Sequence, residues 1–91
     1  MEISKDRSTL IRNALTHALQ PLTLTINDES YLHAGHSGAQ GGGHFSIQII
    51  SAAFEGKTRV QRHQLIYNAL GDLLKTEIHA ISINAKTPNE Q

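Results

Sequence analysis

Thr58-Arg-Val-Gln-Arg-His63-Gln-Leu-Ile-Tyr67-Asn-Ala-Leu-Gly-Asp-Leu-Leu74 is the stretch on which the fold turns. Val60, Tyr67, Leu70 and Leu74 recur at helical spacing, flanked by Ile66 and Leu73, and predict a helix from about residue 58 to 74. Gly71 falls inside it and weakens the case for an unbroken helix. A strand pattern stands on either side. Before it, Phe45, Ile47 and Ile49 alternate with His44, Ser46 and Gln48; after it, Ile78-His-Ala-Ile-Ser-Ile-Asn84 sets His79, Ile81 and Ile83 on one side. Two strands joined by a helical crossover pair in parallel, and the connection is right-handed.

Further out, Ile3, Leu10, Ile11, Ala14, Leu15 and Ala18 describe an N-terminal helix, with Ser4 as N-cap in competition with Asp6 and Ser8, and Pro21 its stop. Leu22, Leu24 and Ile26 alternate with Thr23, Thr25 and Asn27, which is a strand with one buried face. A long loop, about 28–43, separates it from the strand that begins at His44, so those two strands pair antiparallel. Ser51-Ala-Ala-Phe54-Glu-Gly56 is a turn, and 85–91 reads as a short polar tail. The expected architecture is α+β, helix–strand–strand–helix–strand, with a three-stranded mixed sheet in a single domain over 1–91.

Composition narrows the function. The chain has 91 residues and no cysteine, which rules out disulfides, thiol nucleophiles and Cys-based zinc fingers. A self-contained iron–sulfur site is excluded too, since such clusters normally take four protein thiolates. The charged start lacks the apolar core of a signal peptide, and no apolar run approaches the roughly 18 residues that span a bilayer. A cytoplasmic protein without membrane attachment is therefore expected. Formal charge is zero with neutral histidines, so there is no global field to hold a polyanion. No serine–histidine–acid spacing, buried carboxylate pair or activated lysine is visible, so the chain is not expected to be an enzyme.

With sulfur absent apart from Met1, imidazole carries the interest. There are six histidines, three of them in or beside His33-Ala-Gly-His36-Ser-Gly-Ala-Gln-Gly-Gly-Gly-His44. Five of the nine residues from Gly35 to Gly43 are glycine, which frees the backbone but matches no phosphate-binding pattern. The parallel pairing brings the start of the last strand, and hence His79, to the same sheet edge as His33, His36 and His44. His17 and His63 belong to the other end or the helical layer; His63, between Val60 and Tyr67, reads as a packing residue. Two or three imidazoles suit zinc, copper or iron, yet they make a poor closed site without a carboxylate or thiolate. An incomplete site implies a partner that brings the rest. Separately, Lys57, Arg59 and Arg62 cluster at the start of the long helix, where they offer a small footprint for nucleic-acid phosphates.

A family resemblance runs through nearly the whole chain. Asn27-Asp-Glu-Ser-Tyr31, His33, His44-Phe45, Ser51 to Gly56, Gln61-Arg-His63-Gln-Leu-Ile-Tyr67, Ile78-His-Ala-Ile81 and Ala85-Lys-Thr-Pro88 together resemble the BolA family. The resemblance implies a fold similar to a class II KH domain, with the helices on one face of the mixed sheet. It also implies pairing with a monothiol glutaredoxin and a shared 2Fe–2S cluster, in iron–sulfur trafficking or iron homeostasis. In that scheme the glutaredoxin cysteine and glutathione supply thiolates, and this chain supplies His79 with a loop histidine, His33 or His36. No cofactor is expected in the isolated chain.

Some BolA-like proteins are described as transcriptional regulators, so DNA is the alternative partner, through Lys57, Arg59 and Arg62. Against it, the Gly-x-x-Gly letters at Gly35–Gly38 and Gly38–Gly41 lie between strands, not between the two helices where KH domains clamp backbone. The sequence leaves a weak homodimer open.

Overall fold

The computed structural model describes residues 7–29 and 43–90. Helix α1 spans Arg7–Leu19, strand β1 Thr23–Asp28 and strand β2 Gly43–Ile50; helices α2 and α3 span Arg59–Leu70 and Leu73–Thr76, and strand β3 spans Ile78–Lys86. The sheet order is β1-β2-β3, antiparallel between β1 and β2 and parallel between β2 and β3. The expected α+β mixed sheet is therefore present. Ser4, His33, His36 and most of the glycine-rich loop lie outside the described residues.

The core forms where alternation meets helical period. Phe45, Ile47 and Ile49 of β2 are buried against Ile11, Leu15 and Leu19 of α1, spaced four apart, and against Ile66 and Leu70 of α2. Burying each such side chain stabilises by about 1.5–3 kcal/mol relative to exposure. The other face of the sheet, with Thr25, Gln48, Ser82 and Asn84, is polar and largely exposed. Helices thus cover one face only.

Four expectations need correction. The predicted helix over 58–74 is two helices, because Gly71 takes φ +54° after Leu70 and the chain turns there. A side chain resists that backbone region and glycine does not. The buried stripe is Ile66 and Leu70, whereas Val60 is 65% exposed and Tyr67 39%. The helix carries apolar residues around much of its girth, so spacing alone did not pick the buried face. Leu22 is 69% exposed and precedes the strand it was expected to join, while Leu24 and Ile26 pack on the core. Strand β3 also runs two residues past Asn84, into the expected tail.

The lower end of the sheet is tied together by Ser51. Its buried hydroxyl donates to the Leu19 carbonyl at 2.7 Å and accepts from Ala53 N at 3.0 Å, while its N–H donates to the Lys86 carbonyl at 3.0 Å. One residue so fastens the end of α1, the turn after β2 and the end of β3. The turn itself is a 3-10 helix, Ala52–Phe54, anchored by fully buried Phe54. Among the described residues no helix is long and apolar enough to cross a membrane.

Candidate functional site

His79 sits where the β2–β3 ladder slips. Gly43 pairs with Ile78 and His44 with Ala80, so His79 is an extra residue with no partner across the ladder. Such a bulge re-aims side chains and breaks strict alternation. Ile78, not His79, enters the core and is 6% exposed; His79 turns outward. The expected grouping of His79 with Ile81 and Ile83 is corrected accordingly, since those two pack on the core side.

The outward turn brings His79 to His44. Their ring centroids are 5.0 Å apart and the planes are tilted by 50°. His44 is half-buried and His79 exposed. The backbone beneath them is pinned at Gly43, whose N–H donates to the Glu77 carbonyl at 3.0 Å, and at Glu29, whose N–H donates to the His44 carbonyl at 2.7 Å. The carboxylate of Glu77 in turn receives Arg7 Nε at 3.3 Å, which ties the first turn of α1 to the start of β3. A shallow cavity of ≈ 210 Å³ opens beside the pair, lined by Glu29, His44 and Ser82 among others.

Two imidazoles on one tetrahedral ion, each bonded at ~2 Å, place their ring centroids ~5 Å apart, so this spacing suits co-ligation. Among the described residues no group of three His, Cys, Asp or Glu side chains is placed to hold a metal. Two imidazoles alone would leave a tetrahedral ion half-ligated. His44 was absent from the expected ligands; its signal was alternation, which set it on the face opposite Phe45, but the bulge that brings His79 to that face left no mark in the sequence. His17 is exposed at the end of α1, and His63 lies on α2 in edge-on contact with Tyr67, centroids 6.3 Å apart.

At the far end of β3 the structure brings together Lys57, Arg59 and Arg62 around a groove of ≈ 680 Å³. Lys86, which sequence reasoning left in the tail, lines the same groove. Arg62 is not a free cation. Its guanidinium makes two bonds to the Glu90 carboxylate, at 2.7 and 3.1 Å, and also donates to the carbonyls of Lys57 and Ala85. That bonding holds the Glu90 carboxyl at about 2, against an ordinary 4.5, with the Arg62 hydrogen bond the largest cause and the Thr87 N–H the next. Lys57 and Arg59 are exposed. The connection between α2 and α3 reads Leu70-Gly71-Asp72-Leu73, one glycine and an aspartate, in place of a backbone clamp of Gly-x-x-Gly form.

An α+β fold of this order, a three-stranded mixed sheet packed against helices, defines a class that comparison with known proteins identifies. The family model "BolA-like protein" matches residues 15–90, and the chain belongs to the BolA family. It is similar to the solved BolA domain of SufE1 from Arabidopsis thaliana, at 47% identity and TM-score 0.83, covering 98% of this chain and 100% of that one. It is likewise similar to BolA1 from the same plant, at 42% identity and TM-score 0.82, with 99% of each chain covered.

Among curated proteins, "SufE-like protein 1, chloroplastic/mitochondrial" of Arabidopsis thaliana is 47% identical over 90 residues, 92% of this chain and 24% of that protein. "Protein BOLA1, chloroplastic" is 43% identical over 94% of this chain and 56% of its own length. The chain therefore spans between a quarter and just over half of these two relatives. The "DNA-binding transcriptional regulator BolA" of Haemophilus influenzae is 38% identical, covering 89% of this chain and 77% of that one. Two of these relatives carry an organelle in their names, so they lend no support to a cytoplasmic location.

Proposed function

We propose that this chain is a non-enzymatic adaptor that pairs with a monothiol glutaredoxin and co-ligates a 2Fe–2S cluster, in iron–sulfur trafficking or iron homeostasis. The observation that carries the reading is the bulge that turns His79 out of the core and sets its ring 5.0 Å from that of His44. A histidine pair, one ring exposed and one half-buried, on a hydrogen-bonded backbone and with too few ligands for a closed site fits a partner that supplies thiolates. His79 is one ligand. The second is His33 or His36 of the loop, with His44 the competitor that the geometry adds. When bound, the cluster would gain a raised reduction potential from imidazoles in place of thiolates on one iron. The chain's own part is to hold two imidazole rings side by side and to stay open on the side where a partner arrives.

The test is a visible absorption and circular dichroism spectrum of the chain mixed with a monothiol glutaredoxin, glutathione, iron and sulfide. A spectrum distinct from that of the glutaredoxin homodimer is expected, lost in His79→Ala and in one of His33→Ala, His36→Ala or His44→Ala. A spectrum unchanged by His79→Ala ends the proposal.

A second reading, a DNA-binding regulator, takes its support from the name of the Haemophilus influenzae relative. Here the charge is zero overall, Arg62 is neutralised by Glu90, and the interhelical turn lacks the clamp, so phosphate binding would rest on few cations. Salt-dependent DNA affinity that falls in Lys57→Glu/Arg59→Glu would move this reading to the front.

A further inference from the structure

The groove at the lower end of β3 has a lining that the adaptor reading does not use. One wall is the start of α2, the other is the outer edge of β3, and Lys57, Arg59 and Lys86 stand around it. Among the described residues no ion pair engages these three, whereas Glu90, the acidic group at the rim, is taken up by Arg62. The result is a local positive field on a chain of zero formal charge.

The strand wall adds direction. β3 is an edge strand. The Lys86 carbonyl faces β2's end, where it accepts from Ser51 N, and the Ala85 carbonyl faces outward to Arg62. By alternation along a parallel strand, the N–H and C=O of Ile83 also face outward, into the groove and, among the described residues, without a neighbouring strand. An unpaired edge is a template for an added strand.

The helix wall adds apolar surface. Val60, His63 and Tyr67 follow one another at i, i+3 and i+7 on α2; Val60 is 65% exposed, and the His63 and Tyr67 rings meet edge-on. His63 itself lines the groove. It is here the hinge between the apolar strip and the basic channel, a place its sequence reading as a packing residue did not anticipate.

We propose that this groove is a docking site for an extended acidic segment of a partner protein, which adds as a strand beside Ile83, lays carboxylates against Lys57, Arg59 and Lys86, and seats an apolar side chain on Val60 and Tyr67. Charge complementarity selects an acidic occupant. The strand edge and the apolar strip select a peptide over a nucleic acid, whose affinity would scale with the few phosphates that three cations can neutralise. The groove lies at the other end of β3 from His79, so the proposal stands apart from the cluster reading.

The experiment uses the full isotope-labelled chain titrated with a short synthetic peptide alternating glutamate with valine. Two further probes accompany it, namely the same peptide with alternate backbone nitrogens methylated and a single-stranded oligonucleotide of equal formal charge. Amide shifts confined to Lys57–Tyr67 and Ile83–Lys86 are expected, with affinity lowered about tenfold by backbone methylation and about tenfold in Lys57→Glu/Arg59→Glu. His79→Ala should bind the peptide as the parent does. Equal binding of the methylated peptide, shifts on the uncovered sheet face, no binding at all, or an oligonucleotide that matches the peptide at the same amides would each overturn it.

Discussion

The two ends of β3 are built on opposite plans. At its start, a bulge throws His79 outward and leaves it exposed, next to His44, on a backbone pinned by Gly43 and Glu29. At its finish, Arg62 bonds Glu90 and the Ala85 carbonyl, and Ser51 bonds the carbonyls of Leu19 and Lys86. The start presents groups that a partner can complete, while at the finish Arg62, Glu90 and Ser51 are taken up within the fold and only the flanking Lys57, Arg59 and Lys86 stand open. A side chain that binds something outside the chain contributes little to folding, and one that closes a network contributes little beyond it. Substitutions at the two ends should therefore fail in different assays.

The largest effect is expected at the start, and on binding alone. His79→Ala should abolish the spectrum of the mixed complex while shifting unfolding by no more than about 0.5 kcal/mol, the usual range for an exposed site. Parallel chemical denaturation and cluster reconstitution check both halves. Loss of stability in His79→Ala would erase the contrast between the ends, because the imidazole would then be holding the fold.

Next comes Ser51→Ala, the mirror experiment. It removes the donor to the Leu19 carbonyl in a position 1% exposed and leaves that acceptor unsatisfied. A loss of about 1–3 kcal/mol is expected by denaturant titration, with reconstitution of the complex intact in the folded fraction. A loss well under that range would mean that water reaches the carbonyl and that the finish is looser than its bonds imply.

A smaller gain should come from the same corner. Gln20 ends α1 with φ +45°, its N–H donating to Thr16 O at 3.1 Å, ahead of Pro21. Non-glycine residues are strained there, so Gln20→Gly should stabilise by about 0.5–1 kcal/mol. A thermal melt that falls instead would show that the side chain of Gln20 holds more than its backbone costs.

Much of this plan was legible in the residues. Alternation in β2 and β3, with a helical pattern between, led to parallel pairing and to the convergence of His44 and His79 on one edge. What escaped was phase and distance. Periodicity put Leu70 in the buried stripe but could not choose between Val60–Tyr67 and the flanking Ile66 as its companions, because all are apolar at helical spacing. An extra residue in one strand is a property of the pair, so His79 alone could not announce the bulge. Arg62 read as a phosphate ligand because its answer, Glu90, lies 28 positions later in what looked like a tail.

That last pairing also yields the smallest and most specific prediction. Glu90 has a folded-state value of about 2 against 4.5, so the folded chain holds its carboxylate charged where the unfolded chain begins to take up protons. A depressed acid contributes its stability above the unfolded value and loses it as pH falls. The contribution should be whole above pH 4.5 and decline between 4.5 and about 2. The effect is small because the pair is exposed on the Glu90 side, where solvent screens it. Titrating the Glu90 carboxyl carbon by NMR should place its midpoint near 2. In Glu90→Gln, which keeps an acceptor for the Thr87 N–H, the fall of melting temperature across that interval should be shallower than in the parent. A Glu90 midpoint at its ordinary value would mean that Arg62 is not held by the tail. Its guanidinium would then be available at the groove after all, as a fourth cation beside Lys57, Arg59 and Lys86.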